Sequence, residues 1–239
     1  MTDHIVKAFD EELAELTERI ARMGGLAEKL LTDAVLALNR ADESLAREVI
    51  AMDEQIDVLE REIEELAVVT IARRQPMATD LREIMTAIKV SSDLERTGDL
   101  AKNIAKRVLA IRGGTSLRKA VLGIDRMSGM ALIQLCRVLD SYAQRDVDGA
   151  LEVWRQDSDL DAMYTSIFRE LLTYMMEDPR NISAATHLLF AAKNVERIGD
   201  HTTNIAEMIY YLVEGEPLRE ARPKKDRSSF ATVDVPGDV

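Results

Sequence analysis

The sequence predicts an all-α protein formed by tandem duplication of two antiparallel three-helix bundles. Helix breakers are scarce, since only 11 glycines and 5 prolines occur in 239 residues. Apolar residues recur at alternating steps of three and four, which places them on one face of a helix. The second half also repeats motifs of the first: the segment at residues 95–99 reappears 101 residues later at residues 196–200. Repetition at a fixed offset indicates tandem copies.

The composition excludes several classes of protein. Aromatic residues are only 4% of the chain, which argues against an all-β fold. The formal net charge of -12 argues against a sequence-independent nucleic-acid binder, which needs a basic face. A single cysteine, Cys136, excludes a disulfide framework within the chain. No run of about eighteen apolar residues is present, and residues 1–10 lack a secretory signal, so we expect a cytoplasmic protein that reaches the membrane only through protein partners.

The first two helices follow from one apolar stripe that is interrupted once. The stripe over residues 9–38 predicts a long first helix. Polar residues at 39–44 interrupt it, and it resumes over residues 45–66 as a second helix of about seven turns. A short connection between two long helices predicts an antiparallel pair.

The third helix is bounded by a proline and a pair of glycines. Pro76 cannot continue a helix interior, and Thr79 or Asp80 can cap the next helix. The apolar stripe resumes over residues 87–111 and stops at glycines 113 and 114. Residues 113–116 are therefore the expected connection between the halves, short enough for the two bundles to pack together.

The second half repeats this organisation. Apolar stripes cover residues 117–142, 151–174 and 188–212, and Asp178 before Pro179 is a strong start signal for the last helix. We therefore expect one bundle over residues 1–114, a second over 115–216, and a disordered tail over 217–239, where no stripe can be drawn.

Each half carries two acidic pairs with a spacing of four residues, which places both members on one helix face. If the second and third helices of a bundle face each other, the pairs converge on a site lined by carboxylates, as hard cations, manganese or iron require. An asparagine one turn further on in each half can add an amide oxygen. The predicted ligands are Asp53, Asp57, Glu95, Asp99 and Asn103 in the first half, and Asp157, Asp161, Glu196, Asp200 and Asn204 in the second.

The metal prediction has a simpler alternative. Acidic residues number 43 of 239, so paired acids on a solvated helix face are common by chance. Both halves nevertheless keep a glycine within the acidic motif, Gly98 and Gly199, at a helix position where glycine costs roughly 0.5–1 kcal/mol relative to alanine. Because the glycine recurs, we expect the space beside it to be needed by a neighbouring backbone, a metal cluster or a partner protein. Oxygen ligands leave the metal open among iron, manganese, magnesium, calcium and zinc.

The sequence does not indicate catalysis. None of His4, His187 and His201 follows a glutamate at the Glu-x-x-His spacing of di-iron proteins. The phosphate-binding loop, the dinucleotide fingerprint and the nucleophile elbow are also missing. We therefore predict a protein that is not an enzyme.

Two long segments in the right order resemble the signature regions of the PhoU family, and the resemblance extends over residues 4–216. They are residues 75–82 (QPMATDLR) leading into 93–99 (DLERTGD), and 177–182 (EDPRNI) leading into 194–201 (NVERIGDH). At position 97 threonine replaces the family's more usual isoleucine or valine, and Asn194 is the counterpart of Asp93. We expect the second replacement to leave the second site with one fewer possible carboxylate than the first.

The resemblance implies a negative regulator of phosphate uptake and of phosphate-starvation genes. Such a protein is an adaptor between the ATPase subunit of the phosphate ABC transporter and a phosphate-sensing histidine kinase, and a homodimer is one expected assembly. The resemblance also implies multinuclear metal binding through the acidic pairs named above. A metal-storage protein using the same carboxylates is the alternative function.

Overall fold

A computed structural model describes residues 2–111, 117–220, 222 and 226, with side chains from residue 9 onward. Within this part of the chain all regular structure is helical, and the all-α prediction is confirmed. The elements are α1 (Thr2–Arg40), α2 (Glu43–Met52), α3 (Glu54–Arg74), α4 (Thr79–Ala110), α5 (Arg118–Gln144), α6 (Val147–Glu177), a 3-10 turn (Pro179–Asn181) and α7 (Ile182–Glu214).

The predicted interruption after the first stripe is a two-residue turn. Ala41 takes a left-handed conformation with φ 52°, and Asp42 caps α2 by accepting a hydrogen bond from the backbone N–H of Leu45 at 3.1 Å. This side chain satisfies one of the free donors at the helix start.

The second predicted helix is present as α2 and α3, and helical hydrogen bonding continues through Asp53, which lies between them. The N–H of Asp53 donates to the carbonyl of Val49 at 3.3 Å, and the N–H of Asp57 donates to the carbonyl of Asp53 at 3.3 Å. The backbone of Asp53 is still right-handed, with φ −56° and ψ −33°. Its carbonyl accepts from the N–H of Ile56 at 2.9 Å, three residues on, which is a tighter turn than the α-helix. The equivalent helix of the second half, α6, continues through Asp157 without a break.

The start of α4 also differs from expectation, because neither Thr79 nor Asp80 caps it. Thr79 is already the first helical residue, and the cap position belongs to Ala78, whose side chain has no acceptor. The Thr79 hydroxyl instead accepts from Arg82 Nη2 at 3.1 Å. Before this helix, Gln75 ends α3 in a left-handed conformation, and Pro76 follows it as predicted.

The predicted start signal of the last helix is present. Asp178 accepts from the backbone N–H of Arg180 at 3.0 Å, and Pro179 begins the 3-10 turn that leads into α7. The predicted connection at residues 113–116 lies outside the described residues, as does most of the expected tail.

The two bundles share one core. Helices α1 to α4 form the first bundle and α5 to α7 the second, with α4 packed along α7 and α1 along α5. Asp93 in α4 contacts Asn204 late in α7, whereas Arg107 late in α4 lies 4.7 Å from the ring of Phe190 early in α7. The two helices are therefore antiparallel, and buried apolar residues of both halves form one continuous cluster. Across the described residues we find no helix with the length and hydropathy needed to cross a bilayer.

Candidate functional site

The first acidic cluster consists of Asp53, Asp57, Glu95 and Asp99. Asp53 lies between α2 and α3 and is only 3% exposed, whereas the other three are half-buried. Lys102, one turn after Asp99 on α4, donates from Nζ to Asp53 and, at 2.5 Å, to Asp99 Oδ1. The structure thus brings the two acidic pairs together from neighbouring helices, with a lysine ammonium between them.

The second acidic cluster consists of Asp157, Asp161, Glu196 and Asp200, and it is more deeply buried. The exposed fraction is 2% for Asp157, 2% for Asp161 and 5% for Glu196. Acids this deeply buried are rare unless they are paired.

Two basic side chains pair with the second acidic cluster. Arg222 Nε donates to Asp157 Oδ2 at 2.9 Å, and its Nη2 lies 2.8 Å from Asp200 Oδ1. Lys193 Nζ donates to Glu196 Oε1 at 2.7 Å. Guanidinium and ammonium groups therefore neutralise carboxylates from both α6 and α7.

Burial shifts the pKa values of carboxylates in both clusters. Burial raises the pKa of Asp53, and the hydrogen bond from Lys102 opposes that rise. Burial raises the pKa of Asp157 in the same way, against the opposing hydrogen bond from Arg222. The pKa of Glu95 is raised by burial and then by the charge of Asp99. Burial lowers the pKa of Lys102, but its hydrogen bonds to Asp53 and Asp99 outweigh this, so the net shift is upward and the lysine stays charged.

The two predicted asparagine ligands make no hydrogen bond to the acidic clusters among the described residues. Asn204 Nδ2 donates to Asp93 Oδ1 at 3.1 Å across the boundary between the halves, and His201 Nδ1 pairs with the same oxygen at 2.8 Å. Asp93 thus serves the contact between the bundles and is not a member of the first acidic cluster. Asn194, its counterpart in the second half, therefore does not cost the second acidic cluster a carboxylate. The side chain of Asn103 makes no hydrogen bond to the first acidic cluster within the described residues.

The glycines inside the acidic motifs make room for a neighbouring helix. A Cβ at Gly98 would lie 2.8 Å from Ile56 Cδ1, and a Cβ at Gly199 would overlap Leu160. Ile56 and Leu160 occupy equivalent positions in the two halves, 104 residues apart. Both glycines therefore permit the close helix approach that brings the acidic pairs together.

The arrangement does not fit a bound metal ion. Among the described residues, no group of three or more histidine, cysteine, aspartate or glutamate side chains is placed to hold one. The positions between the carboxylates are taken by the cationic ends of Lys102 and Arg222. The metal role of the ten predicted ligands stays a prediction.

Sequence reasoning missed the three cations that pair with these acids. Lys102 could have been found, because it lies three residues after Asp99 and therefore on the same helix face. Lys193 has the same spacing before Glu196. Arg222 lies beyond the last helix, where no periodic pattern signals a contact.

The PhoU domain family matches residues 20–108 and 124–209, one match in each half of the chain. The chain belongs to the PhoU family. The two matches fall on the two bundles, as the repeated acidic motif predicts.

Relatives in the PhoU family align over nearly the whole chain. A phosphate-specific transport system accessory protein PhoU homolog of Rhizobium meliloti (strain 1021) is 57% identical over 226 residues, which are 95% of this chain and 95% of the relative. The protein of the same description from Caulobacter vibrioides (strain NA1000 / CB15N) is 51% identical over 95% of this chain and 98% of its own length.

Solved PhoU structures have the same fold. The crystal structure of PhoU from Pseudomonas aeruginosa has a TM-score of 0.84 at 42% identity and covers 87% of this chain and 100% of its own. The phosphate transport system regulatory protein PhoU from Streptococcus pneumoniae has a TM-score of 0.82 at 28% identity, with 89% and 100% covered. The duplicated helical-bundle prediction is confirmed, and membership of a family of accessory and regulatory proteins confirms that the chain is not an enzyme.

Proposed function

We propose that this protein is an accessory regulator of phosphate transport that limits phosphate uptake and keeps phosphate-starvation genes silent when phosphate is plentiful. The observation that carries the proposal is similarity over almost the entire length to proteins named as accessory to the phosphate-specific transport system. Both bundles and the acidic motifs of both halves fall within the aligned length. The proposal therefore applies to the whole two-bundle molecule and not to one half of it.

We further propose that it acts as an adaptor at the inner face of the membrane, between the ATPase subunit of the phosphate transporter and a phosphate-sensing histidine kinase. An adaptor needs two separate contact surfaces. The antiparallel packing of α4 and α7 places the first turns of these helices at opposite ends of the α4–α7 pair. The duplication therefore provides two similar ends on one molecule.

Both ends expose apolar side chains. At the start of α4, Leu81 and Met85 lie four residues apart and are 37% and 41% exposed. At the start of α7, Ile182 is 47% exposed and occupies the position equivalent to Leu81. Exposed apolar groups on a protein surface favour contact with another protein. The adaptor proposal assigns one partner to each end.

A deletion strain complemented with variants tests the proposal. Leu81→Asp and Ile182→Asp each place a charge at one end and should weaken binding of one partner about tenfold or more. We expect deletion to release phosphate-starvation genes in phosphate-rich medium, and each variant to fail to silence them again. Capture from membranes should show that the two variants lose different partners.

Ile133→Asp is the matched control, because Ile133 is 67% exposed but lies on α5, away from both ends. It should silence the genes as the unaltered protein does. Starvation genes that stay silent in the deletion strain would contradict the regulatory proposal, whereas loss of the same partner by both variants would contradict the two-ended adaptor.

Metal storage is the less well supported function. One observation favours a cation site: Glu196 Oε2 is buried and accepts no hydrogen bond within the described part of the chain. Against it, Lys102, Lys193 and Arg222 already supply positive charge to both clusters. The regulatory function therefore has the stronger support.

A further inference from the structure

The two ends of the α4–α7 pair differ in charge at equivalent positions. Lys106 and Arg107 lie late in α4, at the end where α7 begins, and their counterparts 101 residues later are Glu207 and Met208. A basic pair at one end thus corresponds to an acidic and an apolar residue at the other. The adaptor proposal gives each end its own partner, and a difference in charge is a physical basis for telling two partners apart.

The guanidinium group of Arg107 is held in place but leaves donors unused. Its Cζ lies 4.7 Å from the centre of the Phe190 ring, which is a cation–π contact. Its Nε is buried and makes no hydrogen bond within the described part of the chain, whereas neither outer amino group is enclosed. Because packing orients the guanidinium, its outer amino groups are prepared to bind a carboxylate through paired hydrogen bonds.

The charge at this end is not neutralised by the protein itself. Neither Lys106 nor Arg107 forms an ion pair with a carboxylate of the described residues, and Lys106 is exposed. The whole chain carries a formal net charge of -12. Two adjacent unpaired cations are therefore a local exception on an acidic molecule.

The equivalent positions at the opposite end are acidic and already hydrogen-bonded. Glu207 accepts from Trp154 Nε1 at 3.0 Å. Lys89, the counterpart of Phe190, lines a cavity of about 330 Å³ together with Asp93 and Glu207. Two carboxylates thus offset the one lysine at that end.

Exposed apolar side chains border the two cations. Ile182 and Phe190 are 47% and 49% exposed, and their spacing of eight residues places them on one face of α7. Arginine and aromatic side chains are enriched in protein interfaces and often dominate the binding energy. We call the surface formed by Lys106, Arg107, Ile182 and Phe190 the basic end.

We propose that the basic end binds an acidic segment of a partner protein, with a carboxylate of the partner on Arg107 and an apolar side chain of the same segment on Phe190. This inference rests on the adaptor proposal, because it assigns a partner chemistry to one of the two ends. Most of the molecule is acidic and repels such a segment, so the basic end determines where it binds. Asp93 and Glu207 disfavour the same segment at the other end.

Charge reversal tests which partner the basic end binds. Lys106→Glu and Arg107→Glu should each weaken capture from membranes of the partner that Ile182→Asp loses, by about tenfold or more, and leave the other partner bound. Because Lys106 is exposed, Lys106→Glu keeps the test valid even where Arg107→Glu lowers the Tm. Arg22→Glu is the matched control, since Arg22 is exposed midway along α1, away from both ends.

Zero-length cross-linking tests the contact itself. A carbodiimide couples a lysine amine to a carboxylate with loss of water, and it does so only between groups in contact. We expect Lys106 to be joined to an aspartate or glutamate of the captured partner, identified by mass spectrometry of the joined peptides. Lys106→Arg keeps the charge but has no amine to couple, so it should capture the partner normally and lose this cross-link.

The outcomes distinguish a failure at the basic end from a failure of the adaptor role. Capture of neither partner by the unaltered protein would overturn both proposals. Undiminished capture of both partners by the two charge-reversed variants, or the absence of any cross-link from Lys106, would overturn the basic-end proposal alone. Variants that keep both partners but lose binding to phosphatidylglycerol vesicles would assign the basic end to lipid instead.

Discussion

At the scale of single residues, the two halves differ most in how they place positive charge. Lys102 and Thr203 occupy equivalent positions, yet only the lysine can reach across to the neighbouring helix as a cation. The difference makes the second acidic cluster depend on Arg222, more than one hundred residues from Lys102 along the chain. A different part of the chain therefore supplies the counter-charge in each half.

Cys136 gives a pH-dependent prediction at this scale. Burial, reinforced by the charge of Glu28, raises the pKa of the Cys136 thiol from 9.0 to about 11. Because the thiolate is the reactive form, alkylation by iodoacetamide at pH 8 should be about 100-fold slower than for an ordinary thiol, and its rate should rise through about pH 11.

The measurement is simple because the chain has one cysteine. The same protein unfolded in urea is the control and should react at the ordinary rate. An alkylation rate in the folded protein with a midpoint near 9 would show that burial does not hold the thiol in its neutral form.

At the scale of elements, the helix pairs α3–α4 and α6–α7 determine the site, because close approach at Gly98 and Gly199 brings the acidic pairs together. The space that each glycine leaves is filled by an aliphatic side chain of the partner helix. The glycine in the motif is therefore explained by helix packing next to the carboxylates.

Gly199→Ala should destabilise the protein by about 1–3 kcal/mol, because the new methyl group overlaps Leu160 and the helices must separate. The effect should appear as a fall in Tm of roughly 2 to 10 °C in thermal unfolding followed by circular dichroism. Gly98→Ala should act in the same direction, through Ile56.

Gly25→Ala is the matched control. Gly25 is exposed within α1, and a Cβ there meets nothing within 4 Å. Alanine should therefore stabilise the helix by about 0.5–1 kcal/mol. A rise in Tm for Gly199→Ala as large as that for Gly25→Ala would refute the packing explanation.

At the scale of the whole molecule, one core unites both halves. The buried residues of α4 and α7 belong to the same apolar cluster, and Asp93 bonds across the boundary to His201 and Asn204. A protein with such a shared core should unfold as one cooperative unit despite its duplicated sequence.

Leu94→Ala tests this cooperativity. Leu94 is fully buried in α4 of the first bundle, and its truncation should cost about 2–5 kcal/mol. Trp154, in the second bundle, should report the same lowered Tm as circular dichroism of the whole chain. Fluorescence of Trp154 that keeps its original midpoint would instead mean that the halves unfold independently.

Helical periodicity was sufficient to predict the fold of this molecule. The apolar stripes predicted all the long helices, and the four-residue spacing of the acids placed each pair on one helix face. The tighter turn at Asp53 was not predictable in this way, since neither glycine nor proline marks it. The partners of Asn204 and Asp157 were also missed, because Asp93 and Arg222 are distant in sequence and reach them only through tertiary packing.

The antiparallel packing of α4 against α7 has a consequence for each half on its own. One half alone would present this helix to water with its buried alanines and isoleucines uncovered. Two separate halves could cover that surface by pairing the helices antiparallel about a two-fold axis. Covalent linkage of the two repeats therefore keeps the surface covered within a single polypeptide, whatever the protein concentration.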